Sequence, residues 1–195
     1  MASLLRSDRH AQGRNVREGF AVWLTGLPAS GKSAIAGRLK TRLAQAGLAV
    51  EVLESDAVRT LVTPVPTYSP DERGLFYRAL AFFGSRLVAH GVPVIFDATA
   101  NRRAYRDLAR ALIQNFVEVA VVCPLDVCRQ RDHKGTYQRG LAGRSATVPG
   151  LQDSYEPPLK PELTIESTSL TPEAAADQVV DVLQSRGFLQ AARSD

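Results

Sequence analysis

The chain has 195 residues, 45% of them hydrophobic and 23% charged, with a formal net charge of +4 from 24 Lys and Arg against 20 Asp and Glu. That length suits one domain around one core, and no apolar run approaches the roughly 18–20 residues that cross a bilayer, so a membrane protein is not expected. Cys123 and Cys128, with three scattered histidines, do not form the grouped ligand set of a structural zinc site, and the dispersed basic residues leave no concentrated footprint for nucleic acid.

Residues 1–18 carry Arg6, Arg9, Arg14 and Arg17 without periodicity and without the apolar segment of a secretory signal. They read as a flexible basic tail, with the cytoplasm as the default location. A single domain is expected over 19–190. Within it, apolar runs at 20–25, 49–54, 92–97, 116–123 and 163–166 predict strands. Helical patterns fall between them at 32–46, 69–90, 102–114, 125–131 and 172–186, the last opening on Pro172. This alternation predicts an α/β fold, a five-stranded parallel sheet with helices on both faces, whose ligands bind at the carboxyl ends of the strands. Trp23 and Phe82-Phe83 are expected in the core. Two stretches break the rhythm. Residues 63–70 contain three prolines. Residues 132–161 are long, polar and rich in Gly and Pro, and a loop of that length is usually functional or disordered.

The strongest motif is Gly26-Leu27-Pro28-Ala29-Ser30-Gly31-Lys32-Ser33. It satisfies G-x-x-x-x-G-K-[ST], follows a hydrophobic strand and opens a helix. The backbone N–H groups of such a loop converge on a phosphate, aided by the helix N-terminus. Lys32 is placed to bridge the β- and γ-phosphates of ATP, and Ser33 to offer its hydroxyl to Mg²⁺.

The second predicted strand ends in Glu54-Ser55-Asp56-Ala57-Val58-Arg59. A carboxylate here can orient an acceptor hydroxyl and accept its proton, so Asp56 is the candidate catalytic group, and it is also placed to approach the metal. Arg59 follows one helical turn later, where it can hold an anionic substrate group. The third strand ends in Asp97, which is either a Mg²⁺ contact or a structural partner of Lys32 or Ser33.

These residues resemble the adenylylsulfate kinase family over about 19–168. The resemblance is carried by Val22-Trp23-Leu24-Thr25-Gly26-Leu27, by Asp56 with Arg59, and by Thr67-Tyr68-Ser69-Pro70-Asp71-Glu72-Arg73. It continues in Pro124-Leu125-Asp126-Val127-Cys128, in Arg131-Asp132-His133-Lys134-Gly135-Thr136-Tyr137, and in Tyr155-Glu156-Pro157-Pro158. It implies a P-loop kinase fold with a mobile lid over about 132–158. It also implies phosphorylation by ATP of the 3′-hydroxyl of adenosine 5′-phosphosulfate, and a homodimer. Carried over by position, Arg59 and Arg73 grip the phosphosulfate, Tyr68 stacks on the adenine, Thr99, Arg106, Lys134 and Val148 complete the substrate site, and Arg131 lies near the ATP base.

The chain departs from the family pattern at Glu54-Ser55-Asp56, where the family has Asp-Gly-Asp, and at Phe76, where it often has Asn. Val148 stands for a Phe. Thr99-Ala100-Asn101 stands for Ile-Ser-Pro, so no phosphoserine can form at Ala100 and direct in-line transfer is expected. The run Asp97-Ala98-Thr99-Ala100-Asn101 is similar to a turn in other small-molecule and polynucleotide kinases. The alternatives are a kinase of another nucleotide-like or polyol hydroxyl, or a nucleotide-dependent switch. Against the switch, the chain lacks the Asn-Lys-x-Asp motif by which a GTPase reads its base.

Overall fold

The structure, a computed structural model, describes residues 19–189; the expected tail over 1–18 and the last residue of the expected domain lie outside the described residues. The elements run β1 Ala21–Thr25, α1 Lys32–Gln45, β2 Glu51–Glu54, α2 Ser55–Val62, α3 Pro70–Ala89 and β3 Val94–Asp97. They continue with α4 Arg103–Leu112, β4 Phe116–Val122, α5 Leu125–Gln130, α6 Thr136–Leu141, β5 Leu163–Glu166 and α7 Pro172–Ser185. All five expected strands form, and they make one parallel sheet in the order β2-β3-β1-β4-β5. Helix α2, off the end of β2, is the helical turn on which Arg59 was expected. Helix α6 was not an expectation and lies inside the stretch read as a loop.

Alternation along β1 explains the three layers. Val22 and Leu24 face a cluster containing Ile35, Leu39 and Leu43 of α1 with Val179 and Leu183 of α7. Ala21 and Trp23 face the opposite cluster, with Phe76, Tyr77 and Leu80 of α3 and Ala109 of α4. Both sides of the central strand are therefore dry, as an apolar parallel strand requires. Trp23 stacks on Phe96 with ring centroids 4.5 Å apart, and its indole N–H donates to the Ala98 carbonyl at 3.0 Å, so its one polar atom is satisfied in the core. Phe82 and Phe83 depart from expectation. Both stand on the outer side of α3, 41% and 44% exposed, because the inward positions of that helix are taken by Phe76, Tyr77, Leu80, Ala81 and Gly84.

Two helix starts follow their sequence signals. Ser69 accepts a bond from the Glu72 N–H with Pro70 in the first turn, and Thr171 accepts one from Ala174 with Pro172 in the first turn. Each such cap stabilises its helix by ~1 kcal/mol. Order reverses at β1, which has β3 on one side and β4 on the other. A crevice opens at such a switch point beyond the strand carboxyl ends, and the loop between β1 and α1 lies there. That loop must run close to the sheet. A Cβ on Gly26 would come within 2.3 Å of the Val121 carbonyl oxygen.

Candidate active site

The crevice is a cavity of about 1140 Å³, a volume that accommodates two nucleotides, bounded by the phosphate loop, the ends of β2 and β3, the loop before α3 and the segment after α5. From the phosphate loop, Pro28, Ala29, Gly31, Lys32 and Ser33 reach its wall. Gly26, Leu27 and Ser30 lie beneath. The Lys32 ammonium folds back over them, donating to the carbonyls of Leu27 at 2.7 Å and Gly26 at 3.1 Å. Burial pushes that ammonium below its usual value, and the charge of Asp97 draws it partly back. Asp97 itself, 5% exposed at the end of β3, is raised above the ordinary carboxylate range by burial, against the Ser33 hydroxyl and the Lys32 charge. Asp97 faces the cavity beside Lys32 and Ser33, where both the metal-contact reading and the structural-partner reading place it.

On the opposite wall, Asp56 heads α2 and lies in the open cavity. Its carboxylate accepts from the Lys134 ammonium at 2.8 Å, and Glu54 accepts from the same ammonium at 3.1 Å. These bonds, that to Asp56 first, raise the Lys134 ammonium above its usual value. The stretch carrying Lys134 is ordered by the chain itself. The Asp132 carboxylate accepts from the N–H groups of Thr136, Tyr137 and Gln138 at 2.7–3.2 Å and so starts α6. The Tyr137 hydroxyl then donates to the Pro28 carbonyl at 3.1 Å. Beneath, Cys123, Cys128, Tyr137 and Val148 pack with Leu27 and Ala29 of the phosphate loop. Burial, then the hydrogen bond with Cys123, pushes the Cys128 thiol up to about 12, so it is an unreactive packing group. Gly150 meets Leu27: a Cβ there would lie 2.7 Å from its Cδ2, and the residue's φ of +83° suits glycine alone.

The loop before α3 brings the arginines together. Arg59 donates to Glu72 at 3.0 Å, and its guanidinium lies 3.8 Å from the Phe76 ring centroid and 4.9 Å from that of Tyr68. The aromatic at position 76 therefore stacks on this cation. Glu72 also accepts from the Thr67 hydroxyl, and that bond with the Thr67 and Tyr68 N–H groups and the Arg59 charge outweighs burial and holds it below the usual carboxylate range. Arg73 donates to the Tyr68 carbonyl at 3.1 Å, to Asn101 at 3.3 Å and to the Thr147 carbonyl. Three of the five N–H groups of its guanidinium are thus held by protein.

Of the expected site residues, Lys32, Ser33, Asp56, Arg59, Tyr68, Arg73, Asp97, Thr99, Arg131, Lys134 and Val148 all line this one cavity. Arg106 does not, and its expected substrate contact is corrected. The side chain is 1% exposed, donating to Glu118 at 2.6 Å, to the Glu156 carbonyl at 2.7 Å and to the Ala100 carbonyl, so it has no face toward a ligand. Val148 meets the cavity only at its edge, being buried among Cys123, Cys128 and Tyr137. Among the lining residues that sequence reasoning missed, Tyr77 and Ser167 stand out. Tyr77 reaches the wall from α3 and accepts from the Ala100 N–H at 3.1 Å. Ser167, after β5, has a buried hydroxyl without a hydrogen-bond partner beside Arg131, which donates to its carbonyl at 3.4 Å. No motif marked either; Tyr77 depends on how α3 packs and Ser167 on where β5 ends in space.

Parallel strands in this order, opening at a phosphate loop onto a cavity with an acceptor-side carboxylate, are the architecture of a P-loop kinase. The chain matches the adenylylsulphate kinase family over residues 18–166, and it belongs to that family. It is 39% identical over 173 residues to the adenylyl-sulfate kinase of Rippkaea orientalis, covering 89% of this chain and 96% of that one. It is 39% identical over 178 residues to that of Myxococcus xanthus, covering 89% and 96%. Among solved structures it resembles the Mycobacterium tuberculosis APS kinase CysC in complex with AMPPNP and APS, with a TM-score of 0.81 and 30% identity over 86% of this chain and 98% of that one. A hexameric APS kinase from Thiobacillus denitrificans also matches, with a TM-score of 0.67 and 28% identity, over 89% of this chain but 30% of that one. Among the described residues no helix is long and apolar enough to cross a membrane.

Proposed function

We propose that this chain is an adenylylsulfate kinase, transferring the γ-phosphoryl group of ATP to the 3′-hydroxyl of adenosine 5′-phosphosulfate. The observation that carries it is the placement of Asp56 and Lys134, in contact at 2.8 Å, in the same cavity as the phosphate loop. The loop N–H groups and the α1 N-terminus hold the donor phosphates. Lys32 leaves the carbonyls of Gly26 and Leu27 for the β- and γ-phosphate oxygens. Arg131 and the unpaired Ser167 hydroxyl flank the donor base. Arg59 and Arg73 hold the phosphosulfate, Tyr68 covers the acceptor adenine, and Thr99 and Val148 bound the pocket. Asp56 then orients the 3′-hydroxyl and accepts its proton as the new P–O bond forms and the bond to the ADP oxygen breaks. Ala100 offers no hydroxyl for an intermediate, so transfer is direct. Lys134, drawn from Asp56 by the incoming phosphates, closes the lid over 132–158 and keeps water from the donor.

Among the described residues no three His, Cys, Asp or Glu side chains are grouped to hold a metal by themselves. Ser33, Asp56 and Asp97 are hard oxygen donors that fit Mg²⁺ when phosphates and water complete its shell. Bound there, it would neutralise charge on the donor phosphates. A homodimer rests on family likeness, and sedimentation equilibrium reads it directly.

The test is a panel of acceptors offered with ATP and Mg²⁺, products identified by mass. Phosphorylation of adenosine 5′-phosphosulfate at the 3′ position in preference to other nucleotides and polyols is expected. Preference for a polyol would replace this substrate with the alternative kinase reading.

A further inference from the structure

Asn101 is fully buried in the turn after β3, and it is the one side chain of that turn with partners on both sides of the cavity wall. Its Oδ1 accepts from Arg73 Nη1 at 3.3 Å. Its Nδ2 donates to Asp153 Oδ2 at 3.0 Å and to the Ser154 carbonyl at 3.1 Å. Its own carbonyl accepts from the Glu156 N–H at 2.7 Å. An amide is suited to this place, since it offers an acceptor to a guanidinium and donors to a carboxylate and a carbonyl at once. An aspartate would set like charge against Asp153, and a leucine would leave the buried Arg73 Nη1 with only the looser Asp153 contact at 3.9 Å and remove both donor bonds to 153–154.

The residue before it reinforces the point. Ala100 has a φ of 41°, which a β-carbon disfavours, and it is held there by the Tyr77 hydroxyl on its N–H and by Arg106 on its carbonyl. Arg106 bonds the Glu156 carbonyl as well. A backbone held in an uncommon region needs surroundings that over-determine it, and one of these holders, Arg106, also reaches the segment 153–156 through Glu156. Arg73 in turn bonds the carbonyls of Tyr68 and Thr147, one on each side of the acceptor region.

We propose that Asn101 is a positioning residue for the acceptor half of the site. It locks the Arg73 guanidinium to the root of the lid, so that the arginine and residues 147–156 are set together before the acceptor anion arrives. This rests on the reading of Arg73 as a phosphosulfate contact.

The test uses Asn101→Leu, Asn101→Asp and the double variant Asn101→Asp with Asp153→Asn in the full chain. The double variant exchanges the two side chains, returning an acceptor to Arg73 and a donor across the 3.0 Å contact. KM for adenosine 5′-phosphosulfate is expected to rise about tenfold or more in both single variants, with KM for ATP changing less than about threefold, and the exchange is expected to recover most of the loss. Equal rises in the two KM values, or a double variant no better than Asn101→Asp, overturn the proposal. Amide hydrogen exchange reads the same point without substrate. Asn101→Leu is expected to speed exchange over 147–156 while leaving α1 and α7 unchanged, and uniform acceleration through the sheet overturns it. Wild-type protein without turnover on adenosine 5′-phosphosulfate strikes the functional reading alone, since the exchange data still decide whether Asn101 sets the lid root.

Discussion

The donor half and the acceptor half of the cavity are built differently. The phosphate loop is a main-chain device: its shape comes from Gly26 against the Val121 carbonyl and from the start of α1, and its one long side chain, Lys32, rests on carbonyls of the loop itself. The acceptor half is a side-chain device. Arg59, Glu72, Arg73, Asn101 and Lys134 each depend on partners from other elements, some more than 70 residues away in sequence. Main-chain sites are written in a short contiguous motif, whereas side-chain sites are distributed and admit replacements such as Phe76 and Val148 without loss of the frame.

That contrast can be broken from either side. The largest effect is expected at Asp56→Asn, which keeps size but removes the proton acceptor: turnover should fall about 10²–10⁴-fold with little change in melting temperature. A variant retaining full turnover would remove Asp56 from the chemistry. Lys32→Met should cost about 10²–10³-fold in turnover, because one donor to the developing phosphate charge is lost. Arg106→Leu sharpens the comparison differently. It leaves Glu118 buried with only Arg110, at 3.3 Å, as an ionic partner, so urea unfolding should show a loss of about 3 kcal/mol; an unchanged midpoint would mean that the buried network holds nothing in place.

Two smaller effects concern charge. Burial holds the folded Asp97 carboxyl above the ordinary carboxylate range. The native chain therefore keeps a proton that the unfolded chain has already released, and stability falls as pH rises from the ordinary value through the raised one. Asp97→Asn removes that cost, so above this window its urea midpoint should exceed that of the wild type while turnover drops. A midpoint that follows the wild type across the whole pH range contradicts the shift. Smallest is the stability effect of Lys134→Ala. The pair with Asp56 is well exposed, 61% and 67% for the two side chains, so unfolding free energy should change by less than about 1 kcal/mol, while KM for the acceptor rises measurably. A large stability loss instead would make Lys134 a structural strut.

Much of the fold was legible in the sequence because apolar strands covered on both faces and helices with clear caps announce themselves locally. Pro70 after Ser69 and Pro172 after Thr171 mark helix starts in the sequence as they do in space. Helix α6 was not legible, since it is six residues long and begins on a carboxylate, Asp132, rather than on an apolar stripe. Arg106 looked like a ligand contact because it matches a position of the family resemblance. Only the register of β4 reveals that Glu118 waits for it in the interior. Phe82 and Phe83 looked like core because they fall on an amphipathic helix, yet the inner face of α3 is filled by other residues.

The most direct measurement is ADP release by the purified full chain at saturating ATP and Mg²⁺, with and without adenosine 5′-phosphosulfate. Release that depends strongly on the acceptor, stoichiometric with a 3′-phosphorylated product, is expected. Equal release in both, from protein shown to bind ATP, would contradict the assignment of Asp56, Arg59 and Arg73 to an acceptor site for this nucleotide.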